Sequence, residues 1–204
     1  MSNLYLIRHG ETDWNVAKKV MGRTDIPLNS RGETQAKSLA EIMKNLKIDA
    51  IYTSPQLRAK QTAEAIAQDA NLTINVEPAL AEVDFPKWIG LTWDDLHLDP
   101  DYKRFHEGLG IGNEEKYETR HEIRTRTGRF VDLLIQQNPR KNFALVSHAD
   151  PIRAILNHVL AMPMEEFRRF RVAHAGLTVL VKDNDRWLMT LLNYRKELNL
   201  NPET

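Results

Sequence analysis

The chain has 204 residues, enough for one domain of ordinary size or one domain with an inserted lobe. Its 28 basic and 28 acidic side chains cancel, so the overall charge gives no reason to expect a nucleic acid or another polyanion as partner. Because there is no cysteine, disulfides, thiol catalysis and thiolate metal sites are excluded.

The chain opens with a short apolar strand, residues 4–7, that runs directly into Arg8, His9 and Gly10. A guanidinium and an imidazole are costly to bury without a partner, so this junction predicts a ligand site. The strand lacks the features of a secretory leader, and no later run reaches the ~18 apolar residues of a membrane span. We therefore expect a cytoplasmic, soluble protein with no membrane contact.

Strands and helices then alternate along the chain. Apolar spacing predicts a helix within residues 29–46, capped by Asn29 or Ser30, and a second helix within 57–70. Further expected segments are strands within 48–54, 72–77 and 142–148 and a helix within 152–161. Helices that alternate with strands in this way pack on a mostly parallel sheet. The sequence thus predicts an α/β fold, a three-layer sandwich with helices on both faces of the sheet.

Two elements interrupt or close this pattern. Residues 86–120 combine aromatic side chains, charges and several glycines without a clear period, which indicates an inserted lobe or flap. Residues 176–182 and 186–193 are apolar segments joined by Asp183, Asn184 and Asp185, which predicts a C-terminal antiparallel hairpin at one side of the sheet. We expect residues 1–204 to form a single domain.

Polar residues follow three of the predicted parallel strands. Arg8 and His9 follow the first strand, Ser54 the second, and His148 the strand within 142–148. Ligands collect at the carboxyl ends of such strands, and right-handed crossovers place these ends at one edge, so the two histidines should meet. Arg58, in the first turn of its helix, should point to the same edge. Guanidinium forks and helix N-termini suit phosphate oxygens, so this edge predicts a phosphate site.

Less specific interpretations apply to several other polar residues. His97, His106 and His121 match no compact metal-ligand spacing, and we expect no metal and no cofactor. Arginines between residues 120 and 129 and between 168 and 171 are typical of solvated helical faces. His174 could reach the site, but we expect a structural role. The aromatic residues Trp88 and Trp93 could contact a leaving group or anchor the lobe.

Five blocks of sequence resemble, in order, the motifs of the histidine phosphatase superfamily, the phosphoglycerate mutase-like proteins. They are LIRHGETDWN from residue 6, GRTDIPLNSRGETQA from 22, IYTSPQLRAKQTAEAI from 51, LAEVDF from 80 and LVSHADPIR from 145. The resemblance covers nearly the whole chain apart from the lobe. It implies an α/β sandwich around a central sheet and a metal-independent reaction on a small-molecule phosphomonoester.

The resemblance also implies a role for individual residues. His9 would be the nucleophile that is phosphorylated, Glu82 the proton donor, and Arg8, Arg58 and His148 the phosphoryl-binding side chains. The expected phosphate- and substrate-binding set is completed by Asn15, Gly22 and the backbone donor of Ala149. A neutral imidazole is a competent nucleophile near physiological pH, and a carboxyl in a partly closed site has a raised pKa, which suits an acid.

Some residues depart from the usual family pattern or leave alternatives open. Asp84 is an alternative acid, because residues two apart on a strand face the same way. Asp150 adds a carboxylate beside the second histidine, and Pro86 stands where glycine is usual. These departures leave the core reaction intact and the natural substrate open.

Three functions are compatible with these residues. The favoured one is a phosphomonoesterase in which the lobe selects the leaving group. The second is a cofactor-dependent phosphoglycerate mutase, disfavoured because Glu82 is followed by Val83, Asp84 and Phe85. The third, from another class, is a noncatalytic module that binds a phospho-ligand or a protein. The oligomeric state is open, and a homo-oligomer is compatible with the sequence.

Overall fold

The computed structural model describes residues 1–68, 72–106 and 117–196. In chain order the helices and strands of these residues are β1 (Ser2–Arg8), α1 (Asp13–Val16), α2 (Ser30–Met43), β2 (Ala50–Thr53), α3 (Leu57–Ala67), β3 (Ile74–Val76), α4 (Trp93–Leu98), α5 (Pro100–His106), α6 (Arg120–Gln137), β4 (Phe143–Ser147), α7 (Ala149–Val159), β5 (Leu177–Asp183) and β6 (Arg186–Tyr194). None of the helices in these ranges is long and apolar enough to cross a membrane.

The six strands of the described ranges form one sheet in the order β3-β2-β4-β1-β5-β6. The pairings β1–β4, β2–β4 and β2–β3 are parallel, whereas β1–β5 and β5–β6 are antiparallel. Asn184, at the turn of the β5–β6 hairpin, has φ 53°, a left-handed conformation that asparagine tolerates. The expected mostly parallel sheet and its C-terminal antiparallel hairpin are therefore confirmed.

The alternation of side chains along β1 shows how the sheet divides the core. Tyr5 and Ile7 pack on one face with α2 and α3, and Leu4 and Leu6 pack on the other face with α6 and α7. All four are buried, as expected for a central strand covered on both sides. Strand β1 is therefore packed between two apolar clusters. This packing fixes its carboxyl end, from which the next residues extend.

Two helices differ in how well the sequence predicted them. Helix α2 begins after Asn29, whose side chain accepts from the backbone N–H of Gly32 at 2.8 Å, so Asn29 is the N-cap. Helix α6 was not among the helices predicted from apolar spacing. Its buried positions include Thr127 and Gly128, and the latter lies against the ring of His158, so small residues replace the apolar ones that would reveal its period.

Residues 85–106, which we call the aromatic lobe, contain α4, α5 and a 3-10 turn at Pro86–Trp88. Trp88 is fully buried, and its ring contacts Tyr102 and Tyr117 at centroid distances of 5.2 and 4.7 Å. Trp93 is 41% exposed. Of the two tryptophans, Trp88 therefore anchors the lobe, whereas Trp93 stands at its surface. Residues 107–116 of the predicted flap lie outside the described residues.

Candidate active site

The two histidines expected to meet do so at one edge of the sheet. His9 follows β1 and His148 follows β4, and the two strands are paired with Arg8 opposite Ser147. The backbone N–H of His9 donates to the carbonyl of Ser147 at 3.0 Å, and the two imidazole centroids are 5.1 Å apart. We call this region, the carboxyl ends of β1, β2 and β4, the histidine edge.

A hydrogen bond determines the tautomer of His9. Its Nδ1 lies 2.7 Å from the carbonyl oxygen of Gly10, and a carbonyl can only accept. The ring proton of neutral His9 is therefore on Nδ1, and Nε2 carries a lone pair. Gly10 itself is required here, because a Cβ at this position would lie 2.5 Å from the carbonyl oxygen of Gly32. The loop after β1 is thus packed directly against the N-terminus of α2.

Two arginines bring positive charge to the histidine edge. Arg58, fully buried in the first turn of α3, donates through Nη1 to the carbonyl of Thr24 and through Nη2 to that of Gly22, both at 2.8 Å. Arg8 donates through Nη1 to the carbonyl of Val172 at 2.6 Å. Carbonyl acceptors thus orient both guanidiniums at the histidine edge, and a guanidinium fork suits the oxygens of an anion such as phosphate.

Burial and these charges keep both imidazoles neutral. Desolvation lowers the pKa of His9 well below its ordinary value, and the charges of Arg58 and Arg8 lower it further. Desolvation likewise lowers the pKa of His148 well below its ordinary value, again with Arg58 and Arg8. A buried neutral imidazole with a free lone pair is a nucleophile at any pH near neutrality.

Glu82 is the carboxyl that lies beside the histidines. Its Oε1 accepts from the backbone N–H of Val83 at 2.9 Å, and its Oε2 lies 3.8 Å from Nδ1 of His148. Burial, followed by the negative charge of Asp150, raises the pKa of Glu82 to about 7, although Arg58 acts in the opposite direction. This carboxyl can therefore both give and take a proton near neutral pH.

Asp84, the alternative acid, lies elsewhere. Its carboxylate pairs with Arg23 at 3.4 Å, and its side chain is 41% exposed, compared with 19% for Glu82. The two residues are not on a strand in the structure, so the assumption that they face the same way does not apply. The geometry therefore favours Glu82 over Asp84 as the acid.

The remaining residues of the expected set occupy different positions. The buried Gly22 has φ +48° and presents its carbonyl to Arg58, and Ala149 is the first residue of α7, directly after His148. Asn15 closes a capping box on α1, where its Oδ1 accepts from the backbone N–H of Thr12 at 3.0 Å. Asn15 thus has a structural contact of its own.

His174 lies beside His9 at the histidine edge, a position that the sequence left open. It is buried before β5, and its ring centroid lies 5.9 Å from that of His9. Desolvation lowers the pKa of His174 to about 2, with the charge of Arg8 as the next contribution, so this imidazole is neutral. A third neutral histidine therefore borders the nucleophile candidate.

Ser54 and Gln56 extend the site on the Nε2 side of His148. The hydroxyl of Ser54 lies 2.7 Å from Nε2 of His148 and 2.6 Å from Oε1 of Gln56, and the same Oε1 accepts from the backbone N–H of Glu82 at 3.1 Å. All three contacts are buried or nearly so. Spacing identified Ser54 only as the end of a strand, and it gave no signal for Gln56.

Asp150 and the aromatic lobe meet beside the histidine edge. Asp150 pairs with Arg153 at 2.6 Å, and its charge is one cause of the raised pKa of Glu82. It also lines a small cavity of about 20 Å³ together with Phe85, Trp93 and Arg168. The predicted extra carboxylate therefore lies between the acid candidate and the lobe. Within the described ranges, no three histidine, aspartate or glutamate side chains are grouped as a metal site.

Comparison with known proteins places these residues in a family context. The profile of the histidine phosphatase superfamily (branch 1) matches residues 4–195. An uncharacterized phosphatase, PhoE, of Bacillus subtilis is 32% identical over 199 residues, 98% of each chain. A probable phosphoglycerate mutase, GpmB, of Cronobacter sakazakii is 29% identical and covers 92% of this chain and 88% of its own.

A solved structure has the same fold over almost the full length. A mutant phosphoserine phosphatase from Entamoeba histolytica, in complex with phosphoserine, superposes with a TM-score of 0.84 at 30% identity, covering 95% of this chain and 97% of its own. The arrangement of strands and helices described above is therefore shared with a protein that binds a small phosphomonoester.

Proposed function

Because this chain belongs to the histidine phosphatase superfamily, branch 1, we propose that it is a metal-independent phosphomonoesterase that acts through a phosphohistidine on His9. The predictions of the family and of a phosphatase-type enzyme are confirmed at this level, since its relatives include proteins named as phosphatases. The roles of individual residues and the substrate are part of the proposal.

The observation that carries the proposal is the state of His9. Its Nδ1 donates to the carbonyl of Gly10, its pKa is lowered well below the ordinary value, and the guanidiniums of Arg8 and Arg58 are close enough to contribute to that shift. Two guanidiniums beside a neutral imidazole suit a dianionic phosphoryl group, and a phosphoryl group bound by them would face the lone pair on Nε2.

The first chemical step transfers the phosphoryl group to the enzyme. His9 Nε2 attacks phosphorus, the N–P bond forms, and the ester P–O bond breaks on the opposite side. Arg8 and Arg58 stabilise the charge spread over the equatorial oxygens, and His148 lines the same site. The leaving alkoxide takes the proton of Glu82, whose pKa of about 7 leaves much of this carboxyl protonated at neutral pH.

The second step regenerates the enzyme. Glu82, now a carboxylate, accepts a proton from water while the water oxygen attacks phosphorus, and the N–P bond breaks to return neutral His9 and inorganic phosphate. One carboxyl thus serves as the acid of the first step and the base of the second. Its position 3.8 Å from His148 supports this double role, because both steps occur at the histidine edge.

We infer that the substrate is a small phosphomonoester whose leaving group lies between Asp150 and the aromatic lobe. The position of Asp150 supports this orientation, because its charge acts on Glu82 and its side chain lines a water-sized cavity with Phe85 and Trp93 of the lobe. Relatives named phosphoserine phosphatase, one 28% identical from Hydrogenobacter thermophilus, make phosphoserine the first ester to test. 3-Phosphoglycerate follows, since the Entamoeba phosphatase has been crystallised with it.

Hydrolysis of p-nitrophenyl phosphate tests the proposal directly. We expect phosphate release that resists a chelator in the wild type, that is lost in His9→Ala, and that is retained in the matched control His121→Ala, an exposed histidine on α6. A panel of metabolite monoesters then ranks the substrates by kcat/KM. Equal release by wild type and His9→Ala would contradict the phosphohistidine route.

A phosphoglycerate mutase is the second candidate, because GpmB proteins are among the relatives. It would use the same pocket but would protect the phosphohistidine from water. Interconversion of the two monophosphoglycerates without phosphate release would favour it over hydrolysis. If folded protein neither hydrolyses nor isomerises any ester, the noncatalytic binding module becomes the better interpretation.

A further inference from the structure

We propose that Ser54 and Gln56 are positioning residues that place the proton of neutral His148 on Nε2 and leave its Nδ1 as an acceptor facing Glu82. This inference rests on the proposed function for its consequence, but the proton position itself is a property of the unliganded protein. Three hydrogen bonds support the inference. The donor and acceptor of the first bond determine those of the second, and the second determines those of the third.

The chain of hydrogen bonds begins at a backbone donor. The N–H of Glu82 can only donate, and it points to the side-chain oxygen of Gln56 at 3.1 Å. This contact determines how the amide of Gln56 is oriented, because the opposite orientation would set an NH₂ group against the N–H. Gln56 therefore presents its Oε1, a pure acceptor, toward the interior.

The hydroxyl of Ser54 transmits this orientation. Ser54 Oγ lies 2.6 Å from Oε1 of Gln56, a distance that requires a hydrogen between the two oxygens, and only Ser54 can supply it. Because a hydroxyl has a single proton, Ser54 can then only accept from its other neighbours. These are the backbone N–H of Gln56, at 3.4 Å, and Nε2 of His148, at 2.7 Å, so Nε2 must carry a hydrogen.

The consequence appears on the other side of the imidazole. The lowered pKa of His148 keeps the ring neutral, so a proton on Nε2 leaves a lone pair on Nδ1. Within the described residues Nδ1 is buried without a hydrogen bond, and Oε2 of Glu82 lies 3.8 Å away. An acceptor here favours the protonated form of Glu82.

Gln56 therefore connects Glu82 with the imidazole of His148 through hydrogen bonds on the Nε2 side of the ring. Its single oxygen accepts from the backbone of Glu82 and, through Ser54, sets the tautomer of His148. With Gln56 removed, the hydroxyl of Ser54 is free to donate to Nε2, and the ring proton moves to Nδ1. An N–H facing Glu82 stabilises the carboxylate, so the pKa of Glu82 falls and the acid is deprotonated at a lower pH.

The primary test is NMR of the full-length, unliganded protein labelled with ¹⁵N-histidine near pH 7.5. The ¹⁵N shifts separate protonated from unprotonated ring nitrogens, and His148→Gln identifies the signals of His148. We expect Nε2 protonated and Nδ1 unprotonated in the wild type. The reverse tautomer would overturn the proposal. Since this measurement requires no substrate, it stands even if the protein hydrolyses no ester.

Variants test the link to the acid. In Gln56→Leu we expect the His148 proton on Nδ1. The fall in kcat for alkyl esters at high pH, which we call the alkaline limb, should lie about one pH unit lower. At a pH on this limb kcat is then about tenfold lower than in the wild type. Gln56→Glu keeps an acceptor, so it should retain the wild-type tautomer and should not lower the limb. The matched control is Gln61→Leu on α3, the helix that follows Gln56. The side-chain oxygen of Gln61 accepts from the backbone N–H of Leu28.

Stability is controlled by circular dichroism and thermal unfolding of each variant. If folded Gln56→Leu keeps the wild-type tautomer and pH profile, or if Gln61→Leu changes them equally, the proposal is wrong. If Gln56→Leu does not fold, Ser54→Ala replaces it. Loss of the acceptor for Nε2 should then abolish the single tautomer, and a tautomer unchanged in Ser54→Ala would equally overturn the proposal.

Discussion

The histidine edge and the aromatic lobe adjoin each other but are built from opposite kinds of contact. At the histidine edge, charged and polar side chains are fully buried and held by backbone carbonyls and by one another, as Arg58 and His148 are. In the aromatic lobe, an apolar cluster that includes Trp88, Leu96 and Tyr102 holds the segment, while Trp93 is partly exposed. The edge therefore has little freedom to vary, whereas the lobe can change its outer side chains at small cost. We expect the reaction type to depend on the first region and the substrate on the second.

The largest effect should come from removing a buried charge at the histidine edge. In Arg58→Met we expect kcat for every ester to fall by about 10²–10³-fold, the usual cost of one lost donor to the transition-state charge. The carbonyls of Gly22 and Thr24 also lose their donors, so thermal unfolding should occur at a lower temperature. Steady-state kinetics and calorimetry measure the two effects.

The control for this variant is Arg129→Met, an exposed arginine on α6. It should leave both quantities nearly unchanged. A loss in Arg58→Met that varies strongly from one ester to another would contradict the division between the two regions, because a phosphoryl-binding residue should affect every ester alike.

The next effect separates the two carboxyl candidates. Glu82→Gln should slow the hydrolysis of alkyl esters by about 10²-fold or more, whereas aryl esters, whose leaving groups need no proton, should still phosphorylate the enzyme. Asp84→Asn should change kcat by less than about threefold, because its exposed carboxylate pairs with Arg23 away from the histidines. Equal losses for aryl and alkyl esters would argue against Glu82 as the acid, and a more damaging Asp84→Asn would transfer the role.

The pH dependence gives a smaller but more specific test. Only protonated Glu82 can donate, so kcat for alkyl esters should fall as pH rises above about 7. Between pH 5 and 7 protonation of His9 should cause no loss, because its pKa is lowered well below the ordinary value. Asp150→Asn removes a negative neighbour that raises the pKa of Glu82, so the alkaline limb should move to lower pH. A shift to higher pH would contradict this electrostatic assignment.

The smallest effect on chemistry should come from the lobe. Trp93→Ala should change KM by several-fold and differently for each leaving group, with kcat for p-nitrophenyl phosphate little altered, because this ring lines the cavity beside Asp150. Trp88→Ala provides the contrast. It should cost about 3–5 kcal/mol of stability, since a fully buried ring leaves a large cavity. If folded Trp93→Ala lost kcat equally for every ester, Trp93 would belong with the catalytic residues and not with those that select the substrate.

The sequence predicted the histidine edge well because parallel strands obey a simple rule. His9 and His148 each follow a buried apolar strand, and such strands end on the same side of a sheet. The position of His174 stayed open because that rule considers only parallel strands. Strand β5 is antiparallel to β1, with Leu177 opposite Ile7, so its amino end lies at the carboxyl end of β1 and brings His174 to the same edge.

Other parts of the site required knowledge beyond spacing. Glu82 lies in a loop with no period, and its role was suggested only by the family resemblance. The contact of Gln56 with Glu82 joins residues 26 positions apart through one side-chain oxygen, and nothing in the pattern of apolar residues encodes it. Helix α6 was missed because buried Thr127 and Gly128 interrupt its apolar face. Local periodicity predicts elements, but it does not predict polar contacts between loops.

The pairing of β1 with β4 has a consequence for how the protein becomes active during synthesis and refolding. His9 is made long before its neighbouring strand, which is complete only at Ser147, and the antiparallel partner of β1 ends at Asp183. Contacts of such long sequence separation form late, because a long loop must first be closed. If His9 is the nucleophile, as we propose, we therefore expect an emerging chain to be inactive until Asp183 has been translated. Recovery of turnover reports completion of the central sheet.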